Sequence, residues 1–278
     1  MIELVLDSFI DSIKLIPFLF ITFLFIELLE HKFSNRTINI IKKSGKFGPL
    51  IGGILGSFPQ CGFSVMATNL YITRIISLGT LIAIYLSTSD EMLPILISHG
   101  ASIFEIGKIL LIKISIGIFF GFIVDIFIKR DSKEHYNICE EEHCHCEKGI
   151  IKSSVKHTIN IFIFIFGISF ILNIIMDYFG EDIVRNLFNG HSIISPMIAS
   201  LIGIIPNCGA SVIITELYLS NVIPLSSAIA GLLTNSGVAL IVLFRSNKDL
   251  YDNLKVLFLI YSIGVVSGLI IEMLEFIF

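Results

Sequence analysis

Residues 59–71, PQCGFSVMATNLY, and residues 206–218, PNCGASVIITELY, are two versions of one segment set 147 positions apart. The shift matches Pro59 with Pro206, Cys61 with Cys208, Gly62 with Gly209, Ser64 with Ser211, Val65 with Val212, Leu70 with Leu217 and Tyr71 with Tyr218. Outside the quoted segments it lays Pro49 on Pro196, Gly56 on Gly203, Ala83 on Ala230 and Ser89 on Ser236, with no gap. Two apolar segments coincide readily at Leu and Ile, but not at Pro, Cys, Gly and Tyr together, so the chain reads as an internal duplication. Each copy is built around a Pro-polar-Cys-Gly interruption of hydrophobic sequence. Proline inside a helix removes a hydrogen bond and clashes with the preceding turn, at a cost of about 3 kcal/mol. In a bilayer the freed backbone groups must be met by protein or by a water-lined cavity. Each interruption therefore predicts a broken or re-entrant helix, with tips at residues 59–62 and 206–209.

The rest of the chain places these breaks in a membrane. Of its 278 residues 54% are hydrophobic and 15% charged, and mean hydropathy is +0.89, whereas a soluble domain carries roughly a quarter charged residues. Apolar stretches long enough to cross a hydrocarbon core of about 30 Å are expected at 9–29, 75–97, 103–128, 158–178, 223–244 and 254–278, with broken segments at 47–73 and 193–219. The first residues lack the basic start and cleavage site of a signal peptide and carry Glu3, Asp7 and Asp11, so they read as the approach to the first span. The net charge of −4 and the lack of a basic stripe give no sign of nucleic-acid binding.

Orientation follows from Lys and Arg in short loops. The loop at 31–46 holds Lys32, Arg36, Lys42, Lys43 and Lys46 without an acid. If each broken segment is re-entrant, this loop, Lys129-Arg130 and Arg245/Lys248 all fall on the cytoplasmic side. Counting each as a full crossing would put a basic cluster outside. The expected fold is thus an all-α integral membrane protein of two inverted-topology repeats, an architecture common among secondary transporters. Residues 1–128 form the first repeat, 129–157 a cytoplasmic His/Cys-rich linker and 158–278 the second repeat.

Such repeats place a substrate site near the midplane, between half-helix ends. The tips offer Gln60, Cys61, Asn207 and Cys208, with Ser64 and Ser211 one turn on. Buried Cys often packs as a small apolar residue, but two thiols beside amides at matched breaks suit soft or borderline cations and thiophilic metalloids. Asp90 and Glu91 lie inside a span, where ionisable groups usually face a cavity, a partner or a proton route; the other reading sets them at a wet helix end. Pro94 suggests that this helix is broken too, with Ser87, Thr88 and Ser89 helping to satisfy its backbone. The shift pairs Asp90 with Gly237 and Asn69 with Glu216, so ion or proton coupling is assigned to Asp90, Glu91 and Glu216. Lys108 and Lys113 either neutralise these acids or snorkel, Asp125 reads as interfacial, and His99 receives no role. In the linker, Cys139, His143, Cys144, His145 and Cys146 make a dense donor run of the kind that binds Zn, Ni, Co or Cu. It reads as a metal acceptor or sensor, or else as a solvated linker with incidental donors.

The paired stretches beginning at Pro59 and Pro206 resemble those of a bacterial ten-transmembrane heavy-metal exporter family, whose members are labelled arsenic efflux proteins or manganese transporters. The resemblance implies a permease of the cytoplasmic membrane exporting a heavy-metal cation or metalloid. Six full spans and two hairpins counted as four half-crossings would give ten. No GxxxxGK[ST] loop and no HExxH motif occurs, so the expectation is a non-enzyme with no required cofactor. Its partners would be lipid and a metal or metalloid, the transition-metal ion being cargo or bound at the linker; a homo-oligomer is left open. Alternatives are a permease for an organic solute or anion, and a metal-gated channel or sensor.

Overall fold

The computed structural model describes residues 47–58, 61–89, 92–128 and 194–277, with scattered helical positions between 16 and 24 and between 155 and 167. Cys61 and Cys208 are described by backbone only. Among the described residues all regular structure is helical. The first half contains α1 (Gly48–Gly56), α2 (Cys61–Ile72), α3 (Leu78–Ser87), α4 (Met92–Ser98) and α5 (Ile103–Phe127). The second contains α6 (Ser195–Gly203), α7 (Cys208–Leu219), α8 (Leu225–Thr234), α9 (Ala239–Ser246) and α10 (Leu250–Ile277). Each helix of the second half starts at its first-half counterpart shifted by the repeat spacing, 147 positions.

Local signals explain the shared boundaries. Pro49 and Pro196 sit in the first turn of α1 and α6, where a missing N–H costs nothing. The turns leaving α2 and α7 place Arg74 and Asn221 at φ 62° and 56°. There the Ile75 and Val222 amides each donate to the carbonyl five residues back, at 2.9 Å. Ser102 caps α5 by accepting from the Glu105 amide at 3.1 Å, the first half of a capping box.

Contacts along the helices fix their directions. Gly48 faces Thr80, Gly52 faces Ile84, and Gly56 faces Ser87, so α1 and α3 run side by side in the same direction. The chain must therefore return through α2 to the level at which α3 begins, and α1–α2 is a hairpin. Its arms of 9 and 12 residues are about 14 and 18 Å long, roughly half a bilayer core. Helix α5 runs antiparallel to α3, with Gly121 and Asp125 beside Gly79 and Gly117 beside Ala83 and Leu86. The second half repeats this plan: Ser195 meets Ser227 and Ser200 meets Thr234, while Gly264 and Gly268 of α10 lie on Ala230 of α8.

These contacts depend on small residues. A Cβ on Gly121 would stand 2.7 Å from the Gly79 carbonyl oxygen, and one on Gly268 would stand 2.6 Å from the Ala230 Cβ. Gly117/Gly121 and Gly264/Gly268 are both GxxxG pairs, which let membrane helices approach backbone to backbone. Burial divides the helices into two classes. The α8–α9 stretch is 94% buried and the α3–α4 stretch 75%, against 28% for α5 and 33% for α10. The broken pairs form the centre, and α5 and α10 turn Phe104, Phe119, Phe258 and Met273 outward.

Both central stretches are interrupted at matched places. Ser87 Oγ donates to the carbonyls of Ala83 and Ile84, Thr88 Oγ1 to that of Ile84, and Ser89 Oγ to that of Ser87, the backbone satisfaction expected at the first break. Pro94 lies in the first turn of α4 rather than at the break, where proline is tolerated. The second break, at 235–238, divides the stretch expected as one continuous span at 223–244. Gly237 turns it at φ 56°, and its amide donates to Asn235 Oδ1 at 2.9 Å.

Candidate functional site

The two halves meet tip to break. Helix α2 of the first hairpin lies against α9, and α7 of the second against α4. Ser64 is fully buried, and its Oγ donates to the Ser236 carbonyl at the α8–α9 break, 3.4 Å away. Cys61 opens α2 and Cys208 opens α7, so both thiol-bearing residues occupy the positive ends of helix dipoles. Asn207 caps α7: its Oδ1 accepts from the Gly209 amide at 3.2 Å. The amide expected to face substrate thus turns its oxygen toward its own helix. Ser211 is buried one turn further on. Thr68 and Thr215 bond back to the carbonyls of Ser64 and Ser211, each at 2.7 Å, and the Thr68 and Tyr85 hydroxyls are 2.5 Å apart.

Two buried polar atoms near this junction have no hydrogen-bond partner among the described residues: Ser236 Oγ, at the second break, and Asn69 Nδ2, on α2. Such groups are costly to bury unsatisfied. Glu216, the shift partner of Asn69, is half-buried on α7. Gln60, Asp90 and Glu91 lie outside the described residues, as do Cys139, His143, Cys144, His145 and Cys146. Among the described residues no group of three metal-ligating side chains converges. A cavity of about 540 Å³ runs beside the second tip, walled by Ile204 and Pro206 before it and by Leu240, Ile241, Phe244 and Arg245 of α9.

Asp252 and Glu105, passed over in the sequence, hold the halves together through Tyr71 and Tyr218. Tyr71, at the end of α2, donates to both carboxylate oxygens of Asp252 in the first turn of α10, at 2.9 Å. Tyr218, at the end of α7, donates to Glu105 in the first turn of α5, also at 2.9 Å. The two pairs are equivalent under the repeat shift. They place the start of α10 at the end of the molecule where α3 begins, and the start of α5 beside the mouth of the second hairpin. Asp252 also accepts from Asn247 Nδ2 at 3.1 Å. Asp125, read as interfacial, is half-exposed near the end of α5 and clamps the start of α3, accepting from Ser77 Oγ at 2.6 Å and the Gly79 amide at 2.8 Å. Its shift partner Glu272 accepts from Ser226 Oγ at the start of α8. Lys108 is exposed, whereas Lys113 is buried between the halves. The signal that could have found the four acids is the same shift, which pairs Glu105 with Asp252 and Asp125 with Glu272.

Four helical stretches, Leu78–Ser98, Ile103–Phe127, Leu225–Ser246 and Leu250–Glu275, are long and apolar enough to cross a membrane, and with two half-length hairpins they define a multi-pass membrane protein. The family model described as "Putative, 10TM heavy-metal exporter" matches residues 1–168 and 126–246. The chain belongs to this family. No curated protein and no solved structure matches it.

Proposed function

We propose that the protein is a secondary transporter that exports a thiophilic heavy-metal cation or metalloid across the cytoplasmic membrane by alternating access of two inverted repeats. The observation that carries this reading is the reciprocal junction, in which each Cys-led hairpin helix lies against the broken stretch of the other half. Support for inversion comes from Tyr71–Asp252 and Tyr218–Glu105, which hold α5 and α10 with their starts at opposite ends. Family membership supports the export of heavy metal. Orientation is supported by Arg74, Arg245 and Lys248 gathering at the end where α3 begins, the cytoplasmic side by charge.

In this reading Cys61 and Cys208 are the soft ligands, with Gln60 and Asn207 beside them and Ser64 and Ser211 lining the approach. Asn207 releases its cap as substrate arrives. Asp90, Glu91 and Glu216 couple transport to protons or a cation. The donors at Cys139, His143, Cys144, His145 and Cys146 act as a cytoplasmic acceptor that raises local metal concentration.

The test is uptake into inverted vesicles of arsenite, Mn, Zn, Ni, Co or Cd, with Cys61→Ser/Cys208→Ser and Asp90→Asn in parallel. Accumulation of one thiophilic species that the double Cys variant loses supports the reading. Mn uptake that survives without both thiols but fails in Asp90→Asn moves the site to the acidic stretch. No uptake of any of these species under an imposed gradient overturns it.

A further inference from the structure

Lys113 lies near the middle of α5, about 15 Å from the start of that helix, and only 1% of it is exposed. Its ammonium donates to the Thr88 carbonyl, one residue beyond the end of α3, and to the Leu232 carbonyl in the last turn of α8, the latter at 2.9 Å. Carbonyls at the end of a helix have no intrahelical partner and carry the negative end of its dipole. Helix α3 belongs to one half and α8 to the other, so a single cation draws the two broken stretches together. Under the repeat shift the position of Lys113 is taken by Ile260, which is fully buried, so the second half has no cation at the equivalent position. An ammonium is strongly hydrated, and its burial is tolerated only where oxygen atoms replace the lost water. Helix-end and unwound carbonyls at the midplane are also the ligands that alkali cations take in membrane proteins.

We propose that Lys113 is a resident cation: its ammonium fills a site between the ends of α3 and α8 that would otherwise hold an alkali cation. The wild-type protein consequently needs no such ion there, and shortening the side chain creates a monovalent-cation site. This rests on the two carbonyls and the burial of Lys113, and not on what the protein transports.

The experiment is thermal unfolding of the purified full chain in detergent, in choline chloride and then in NaCl or KCl at equal ionic strength. The wild type and Lys113→Arg, which keeps the charge, are expected to show the same Tm in all three salts. Lys113→Ala is expected to be destabilised in choline and to recover by about 3 °C or more in NaCl or KCl. That gain should saturate with concentration, as linkage to a bound ion requires. If Lys113→Ala cannot be purified, Lys113→Ser, which leaves an oxygen in the same space, is measured instead. An Ala or Ser variant that ignores the alkali cation, or that folds in neither salt, overturns the proposal, because the ion should restore what the ammonium supplied. So does an alkali-dependent Tm in the wild type equal to that of the variant.

Discussion

Removing one hydroxyl from each cross-half tyrosine should produce unequal damage. Tyr71 is fully buried, and its hydroxyl donates to both oxygens of Asp252, itself 8% exposed. A hydrogen bond to a charged group contributes about 1.5–3 kcal/mol, and leaving the carboxylate short of a donor in a buried site keeps the loss at the upper end. Asn247 Nδ2 remains on Asp252 and limits it, so Tyr71→Phe is expected to cost about 2–3 kcal/mol. Tyr218 and Glu105 are half-buried, and water can replace the lost bond, so Tyr218→Phe should cost under about 1 kcal/mol. At about 2–4 °C per kcal/mol, circular dichroism melts should fall by about 4–12 °C for the first and under about 4 °C for the second. In an Asp252→Asn background the Tyr71→Phe loss should shrink, since residues that share a hydrogen bond do not add independently. Equal shifts for the two tyrosines, or full additivity with Asp252→Asn, would refute the reasoning.

Other outcomes follow from the packing. Gly121→Leu forces a side chain into the α3 backbone and should cost about 3 kcal/mol or more, read as loss of monodisperse protein on size exclusion, whereas Gly107→Ala, in open space, should leave the profile unchanged. Asp125→Asn weakens the clamp on the start of α3 and should lower stability by about 1 kcal/mol, measured by melting at low salt. Gly237→Ala puts a Cβ on a residue at φ 56° and should cost about 1 kcal/mol, while Gly209→Ala, at ordinary φ, is a control for the same assay. Replacing Cys139, Cys144 and Cys146 together by Ser should lower bound Zn per protein in equilibrium dialysis while leaving the melting temperature within about 1 °C.

Much of the architecture is written in local sequence. Prolines, glycines and cysteines act on the backbone where they stand, so one shift locates both hairpins and the start of every matched helix. The hydroxyls of Ser87, Thr88 and Ser89 announce the first break because a side chain that bonds its own preceding turn needs only near neighbours. The second break was less legible, since Asn235, Ser236 and Gly237 sit in apolar sequence without a proline or a charge. What ties the halves together was hidden for a different reason. Tyr71 and Asp252 are far apart in the chain, and nothing at either residue names its partner until the folds of the two halves oppose each other. Asp125 illustrates the same limit: its acid looks interfacial from its own helix, and its use appears only when α3 begins beside it. Asn207 was legible as a polar tip residue, but a helix N-cap and a substrate ligand demand the same side chain.

The correspondence between Tyr71–Asp252 and Tyr218–Glu105 bears on which way such a molecule leans. Were the halves identical, exchanging their conformations would generate a second arrangement of equal free energy, and neither face of the bilayer would be preferred. Only positions that differ between the copies can tilt that balance. Aspartate with an asparagine companion on one side against glutamate on the other is one such difference, and lysine against isoleucine at 113 and 260 is another. In the proposed alternating-access cycle, the resting preference would then be set by the places where the two copies differ.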